Sequence, residues 1–295
     1  MKHKQFVSAV VYVYDAENVI ENFLRKLHDI LDANFEKFEI ICVNDSSIDN
    51  SRQIISNFAD TISGCMISMV NTGFYQGIEM AMLAGLDVAI GDFVFEFDII
   101  ANADVLDLLM KCYDRCVEGF DIVSCGGNNR HIAAKFFYAI YNRYSGTQYE
   151  LKSEIFRVIS RRGINRVYSM SPNPIYRKAL YRNCGLKADY IEYKGADLMA
   201  RKNTTLKDPH DTALTSLVLF TNVAYKVTLT LTFVMMLVTL GTIGYIVVIY
   251  IIGNPVEGYT TIMALLSGSF FGIFAILAVM LKYLTIMLQS GLKSK

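Results

Sequence analysis

Three short acidic clusters carry the residue types from which a binding or catalytic site could be built: Tyr14-Asp15-Ala16-Glu17, Asp45-Ser46-Ser47-Ile48-Asp49 and Asp98-Ile99-Ile100-Ala101-Asn102. Each follows a run of apolar and β-branched residues, so each stands where a strand would end. A carboxylate at such a place accepts hydrogen bonds, and Asp45 is positioned to take one from a nucleobase N–H. Asp and Ser also build ordinary turns and helix N-caps, and the second cluster taken alone is equally consistent with that role. The apolar run Phe93-Val94-Phe95-Glu96-Phe97 delivers Asp98 to the same edge as Asp45, and two acids converging on one edge favour a ligand site.

The elements needed to position these clusters are legible as alternating strand and helix patterns. Strands are expected at Phe6 to Val13, Phe38 to Val43, Cys65 to Val70, Phe93 to Phe97 and Asp121 to Ser124. Helices are expected between them, at Glu17 to Ala33, Gly77 to Ile90 and Ala103 to Cys116. The first has apolar residues at Ile20, Phe23, Leu24, Leu27, Ile30 and Leu31, a helical period. Such alternation predicts an α/β domain with five strands in a mostly parallel, Rossmann-like sheet, and ligands bind such sheets beyond the carboxyl ends of the strands.

After Gly127 the alternation stops. Residues 130–145 place Ile132, Phe136, Ile140 and Tyr144 at helical spacing among Arg130, Lys135 and Arg143, which suits an interfacial helix on a membrane, with an ordinary buried helix as the alternative. Val227 to Ile252 and Thr260 to Leu281 then run without a charged side chain, each long enough at ~1.5 Å per residue to cross a hydrocarbon core of ~30 Å. Arg201, Lys202, Lys207 and Lys226 precede the first span, Lys282, Lys293 and Lys295 follow the second, and the connecting segment holds only Glu257. This asymmetry places both termini in the cytoplasm, with Tyr225, Tyr259 and Tyr283 anchoring the span ends. The expected organisation is a cytoplasmic domain over 1–221, a transmembrane hairpin over 222–289 and a cytoplasmic tail over 290–295.

Composition excludes some classes. With 28 basic and 28 acidic residues the 295-residue chain has no net charge, which disfavours a nucleic-acid partner. Its six cysteines match no zinc spacing. Cys112 and Cys116 could share a helix face, but a pair lacks the remaining ligands of a structural metal site, and reduced, buried thiols are the simpler expectation. No secretory leader is visible, since Met1-Lys2-His3-Lys4-Gln5 runs directly into the first strand.

In order and spacing, the three acidic clusters and the helical run Gly77-Ile78-Glu79-Met80-Ala81-Met82-Leu83-Ala84-Gly85 resemble glycosyltransferase family 2, which implies a GT-A nucleotide-sugar domain. Phe137-Tyr138-Ala139-Ile140-Tyr141-Asn142-Arg143-Tyr144-Ser145 and Phe156-Arg157-Val158-Ile159-Ser160-Arg161-Arg162, with the paired spans, are similar to its polyprenyl-phosphate branch, which includes undecaprenyl- and dolichol-phosphate glycosyltransferases. The resemblance implies that Tyr14, Glu17 and Asp45 hold the nucleotide. It also implies that Asp98 begins an Asp-x-Asp motif binding Mg²⁺ or Mn²⁺, and that Arg157 and Glu154 join Asp98 in catalysis. Arg161, Arg162 and Arg177 would contact acceptor or diphosphate.

The chain departs from that pattern. Ile100 replaces the second carboxylate of the motif, and a hard divalent cation prefers several oxygen ligands. Ile155 stands where the family places an acid before its Phe-Arg-Leu segment. Glu154 lies one residue earlier, on the opposite face if the segment is extended. Residues Lys202-Asn203-Thr204-Thr205 match the family's premembrane element poorly. The expected partners are a nucleotide sugar, a polyprenyl phosphate and the bilayer of a bacterial inner membrane, with homo-oligomerisation open. The alternative is a catalytically degenerate relative that binds nucleotide sugar or serves as a scaffold.

Overall fold

The computed structural model describes residues 2–62, 64–101, 103–127, 138–139, 141–143, 150–170, 176–193, 223–253 and 258–293. Strands β1 (Val7–Val13) and β2 (Phe38–Asn44) are buried along their whole length, as near-continuous apolar runs must be when both faces of a sheet are covered. They pair in parallel with each other. β3 (Met66–Asn71) joins β2 and β4 (Phe93–Phe97) joins β1, also in parallel. Helix α1 (Ile20–Asn34) buries Ile20, Phe23, Leu24, Leu27 and Leu31, the stripe that its period required. Helices α2 (Ser51–Thr61) and α3 (Ile78–Val88) make the next crossovers.

The sheet has more strands than the local pattern indicates. After α4 (Ala103–Leu106), α5 (Leu109–Val117) and β5 (Ile122–Gly127) come β6 (Phe156–Ser160) and β7 (Ala188–Tyr193), giving the order β3-β2-β1-β4-β6-β5-β7. The expectation of five strands is corrected to seven among the described residues. β6 runs antiparallel between β4 and β5, while β7 is parallel to β5. The expected helix over 103–116 is likewise two, separated at Asp107-Leu108. Helices α6 (Arg161–Met170) and α7 (Arg177–Asn183) follow β6.

The chain divides into two units, Met1–Ser216 and Leu217–Lys295. Among its described residues the second holds α8 (Val223–Ile252) and α9 (Tyr259–Lys293), which pack on one another. Within Thr228–Ile252 and Thr261–Leu284 the most apolar 18-residue windows have mean hydropathies of 2.3 and 2.4, and 6% of each window is buried. Both are long and apolar enough to cross a membrane. The outward residues include Ile251, Ile252, Leu265 and Val279. Of the expected interfacial helix, only 138–139 and 141–143 are described, and these are helical. Asn102, Arg201, Lys202, Lys207, residues 203–205, the 221/222 boundary and the connecting residues 254–257 lie outside the described residues.

Candidate functional site

The loops after β1 and β2 interlock. Asp15 and Ser46 have positive φ, 46° and 57°, an uncommon state for side chains with a Cβ and one that concentrates at functional loops. The Asp15 N–H donates to Ser47 Oγ at 3.1 Å, and the Ile48 N–H returns a bond to Asp15 at 2.9 Å. Glu17 accepts from both the backbone and the side-chain amide of Asn50 at 3.0 Å, and its own N–H donates to Asp49 at 2.9 Å. The Tyr14 ring packs tilted at 59° against Tyr75, with 4.9 Å between ring centres.

Asp45 is fully buried beneath these loops and accepts from four donors: Tyr12 Oη (3.0 Å), Thr72 Oγ1 (2.9 Å) and the backbone N–H groups of Gln76 and Gly77 (2.9 Å each). It thereby ties the end of β2 to the entry of α3. A nucleobase N–H reaching this carboxylate would have to displace one of those donors. The Tyr12 hydroxyl is held far above its ordinary pKa, first by burial and then by the Asp45 charge beside it.

At the carboxyl end of β4 lies a second, more heavily charged cluster. Glu96 and Asp98 are two residues apart in an extended chain and so share a face. Antiparallel pairing sets Arg157 of β6 directly opposite Glu96. Arg157 is 1% exposed and serves three carboxylates: Glu96 at 2.5 Å, Glu154 at 3.2 Å and Asp98. Arg177, at the start of α7 and also 1% exposed, donates to Glu79 at 2.9 Å and Asp98 at 2.8 Å, and its backbone N–H also bonds Glu79 at 3.0 Å. Arg182 holds the other oxygen of Glu154 at 2.8 Å, and Tyr181 donates to Glu96 at 2.5 Å.

Burial opposes the charge on Asp98, yet Arg157 and Arg177 hold its carboxyl well below the usual range. Glu96 goes the other way: burial pushes its carboxyl up against the pull of the same two arginines. Glu154 is lowered, with Arg157 and Arg182 outweighing burial.

The structure thus brings Asp98, Glu154, Arg157 and Arg177 together and does not bring Arg161 and Arg162 to them. Because β6 runs antiparallel to β4, Ser160 pairs with Phe93, and the two arginines that follow emerge at the opposite edge of the sheet. Arg161 donates to the carbonyls of Ala89 and Gly91, and Arg162 forks onto Asp121 at 2.8 and 2.6 Å. Glu79, Glu96, Lys178 and Arg182 belong to the cluster but were not singled out by sequence. Glu96 had a readable signal: a lone acid inside an apolar strand requires a hydrogen-bonding or cationic partner.

The cluster does not fit a divalent cation. Both oxygens of Asp98 are taken by guanidinium groups, and Lys178 Nζ lies 3.9 Å away. Ile100, where a second acid would stand, is 1% exposed within the hydrophobic core. Among the described residues no three acidic, His or Cys side chains are grouped to hold a metal. The thiols offer no alternative: burial pushes Cys42 up to about 12, and Cys116, raised first by burial and then by Asp121, also to about 12.

Comparison with known proteins agrees with this architecture. The chain is 26% identical over 201 residues to a prophage bactoprenol glucosyl transferase homolog of Escherichia coli, covering 66% of this chain and 65% of that protein. It is 26% identical over 201 residues to the bactoprenol glucosyl transferase of Shigella phage SfV, covering 66% and 64%. The chain therefore spans less than two thirds of the length of these relatives. Among solved structures, glucosyl-3-phosphoglycerate synthase from Mycobacterium tuberculosis, in complex with Mn²⁺, UDP and glucosyl-3-phosphoglycerate, superposes with a TM-score of 0.50 at 15% identity, covering 73% of this chain and 78% of that one, a likeness of fold. Residues 8–184, from β1 through α7, match the sequence profile of Glycosyl transferase family 2. With its parallel β1-to-β4 core intact and more than half its length matched, the chain belongs to glycosyltransferase family 2.

Proposed function

We propose that this protein is a membrane-attached, inverting glycosyltransferase that moves a sugar from a nucleotide-sugar donor to a polyprenyl phosphate on the cytoplasmic face. The observation that carries the reading is the union in one chain of a family-2 domain with two membrane-length helices whose apolar side chains face outward. Such a surface is unfavourable in water and favourable in lipid. The relatives named for bactoprenol, a lipid carrier, point the same way. The basic residues flanking the spans support an orientation with both termini in the cytoplasm.

Chemically, an acceptor phosphate oxygen attacks the anomeric carbon from the face opposite the leaving nucleoside diphosphate. One carbon–oxygen bond forms as the other breaks, and configuration inverts. A phosphate monoester with a second pKa of ~6 is already largely anionic near neutrality, so the reaction needs no strong base. The interlocked loops bearing Tyr14, Glu17 and Asp45 would seat the nucleotide. Charge developing on the diphosphate would be met by the cationic side of the Asp98 cluster. There Arg177 Nη1 lies 3.3 Å from Glu96 without forming a hydrogen bond and so keeps a donor in reserve.

The test is direct. Full-length protein in nanodiscs, given undecaprenyl phosphate and a panel of labelled nucleotide sugars, should pass label into the lipid fraction, and Asp98→Ala should not. Absence of any labelled lipid across the panel would overturn the reading. The second reading, a nucleotide-sugar-binding or scaffold protein, draws support from the saturation of Arg157 by three carboxylates, which leaves that guanidinium little freedom to serve a substrate. Nucleotide binding without lipid labelling would favour it.

A further inference from the structure

We infer that Arg177 is a built-in substitute for a divalent cation at the carboxyl end of β4, so that nucleotide binding by this chain does not depend on Mg²⁺ or Mn²⁺. Two hard facts of coordination oppose a metal here. A Mg²⁺ or Mn²⁺ ion needs several oxygen ligands at close range, and neither oxygen of Asp98 is without a cation: Arg157 sits on one and Arg177 on the other, so a dication would have to approach two guanidinium charges. The second position of an Asp-x-Asp motif is Ile100, whose side chain is packed into the core, and Glu79, Glu96 and Glu154 are each paired with a guanidinium.

Charge balance leads to the same place. Four carboxylates, Glu79, Glu96, Asp98 and Glu154, face four cations, Arg157, Arg177, Lys178 and Arg182, through the ion pairs of this cluster. Among the described residues, adding a dication without an anionic ligand would leave two uncompensated positive charges in a site where Arg157, Arg177 and Asp98 are each no more than 5% exposed, unless guanidinium groups were expelled. An arginine stays protonated at every pH of interest, so the cation it supplies is never lost to dilution or chelation.

Arg177 is also placed for the role. Glu79 holds it twice, through its backbone N–H at 3.0 Å and its Nε at 2.9 Å, which fixes both ends of the side chain relative to α3. That anchoring leaves the fork aimed at Asp98, with Nη1 3.3 Å from Glu96 and making no hydrogen bond. Arg177 fills this position whether or not the chain transfers a sugar.

The experiment uses full-length protein in detergent. Titration with Mn²⁺ alone, followed by the EPR signal of free Mn²⁺, should give no more binding by wild type than by Asp98→Asn. Calorimetric titrations with UDP and with GDP should give affinities in Mn²⁺ and in EDTA that agree within about twofold. Arg177→Gln, which strips one cation from Glu79 and Asp98, should acquire Mn²⁺ binding, whereas Arg177→Lys, which keeps a cation, should behave as wild type. Mn²⁺ binding by wild type that Asp98→Asn abolishes, or an affinity for either nucleotide raised about tenfold or more by Mn²⁺, overturns the inference. Should neither nucleotide bind in either buffer, the transferase reading falls, and the Mn²⁺ titrations alone decide on Arg177.

Discussion

Gly77 donates its backbone N–H to the Asp45 carboxylate at 2.9 Å from a conformation of φ 82° and ψ 160°, a region that residues with a Cβ rarely enter. A Cβ built on Gly77 would meet nothing within 4 Å, so space is not the constraint; the backbone angle is. Gly77→Ala should therefore lose about 1–3 kcal/mol of stability through strain alone. Asp45→Asn should cost a similar amount, about 1–3 kcal/mol, because an amide presents an N–H₂ to groups that are themselves donors. Denaturant unfolding of both variants checks this, and wild-type midpoints for both would refute the account of the loop.

Arg157 is the hub of the β4 cluster, and removing it leaves Glu96, Asp98 and Glu154 short of a shared counter-charge. Arg157→Met should destabilise by about 3–5 kcal/mol, the range for breaking a buried ion network by deleting one partner. Arg157→Lys should recover little, since a single ammonium cannot span three carboxylates as the guanidinium fork does. Melting temperature and soluble yield read both variants. A Lys variant as stable as wild type would show that charge rather than fork geometry matters.

A pH dependence follows from the opposite edge of the sheet. Burial works to raise the Asp121 carboxyl, but hydrogen bonds from Arg162 and Ser160 hold it below the ordinary range. Because the folded pKa is the lower one, the stabilisation is present above the unfolded value of ~3.9 and disappears as pH falls through the folded value. Between about pH 5 and pH 3 the melting temperature of wild type should fall more steeply than that of Asp121→Asn. Equal slopes would remove Asp121 from the explanation.

Gly91 illustrates a purely steric requirement. Its added Cβ would lie 2.5 Å from the Ser8 backbone nitrogen, where the Gly91 N–H donates to Ser8 Oγ and that hydroxyl donates to buried Glu39. Gly91→Ala should cost about 1–3 kcal/mol, since strands and network must shift together. Gly73→Ala, with nothing within 4 Å of its Cβ, should stay within about 0.5 kcal/mol of wild type by the same measurement.

The first four strands and the acidic loops were legible because their signals are local: apolar runs at β1, β2 and β4, and a helical stripe on α1. β6 was not legible as a strand. Its residues read as a functional segment, and its antiparallel place between β4 and β5 depends on pairings such as Glu96 with Arg157 that no local pattern encodes. The same pairing explains the site. Arg157 was assigned to the Asp98 cluster and is found there, while Arg161 and Arg162, only four and five positions on, are carried along β6 to the other edge. Glu79 lay within the helical run that signalled the family, but its partner Arg177 is ninety-eight positions away and only the fold joins them.

The placement of β6 also governs how the polypeptide can be made. Among the described residues β5 pairs with β6 and β7 alone, and the outer edge of β4 is covered by β6 alone, yet both β4 and β5 leave the ribosome first. During synthesis the β3-β2-β1-β4 portion can close around α1 while one flank stays open and β5 waits without a partner. An open flank of apolar strand is a template for other chains. A nascent chain halted between Gly127 and Phe156 therefore faces association with its neighbours on the polysome before it faces unfolding, and translation speed through that interval becomes a determinant of yield.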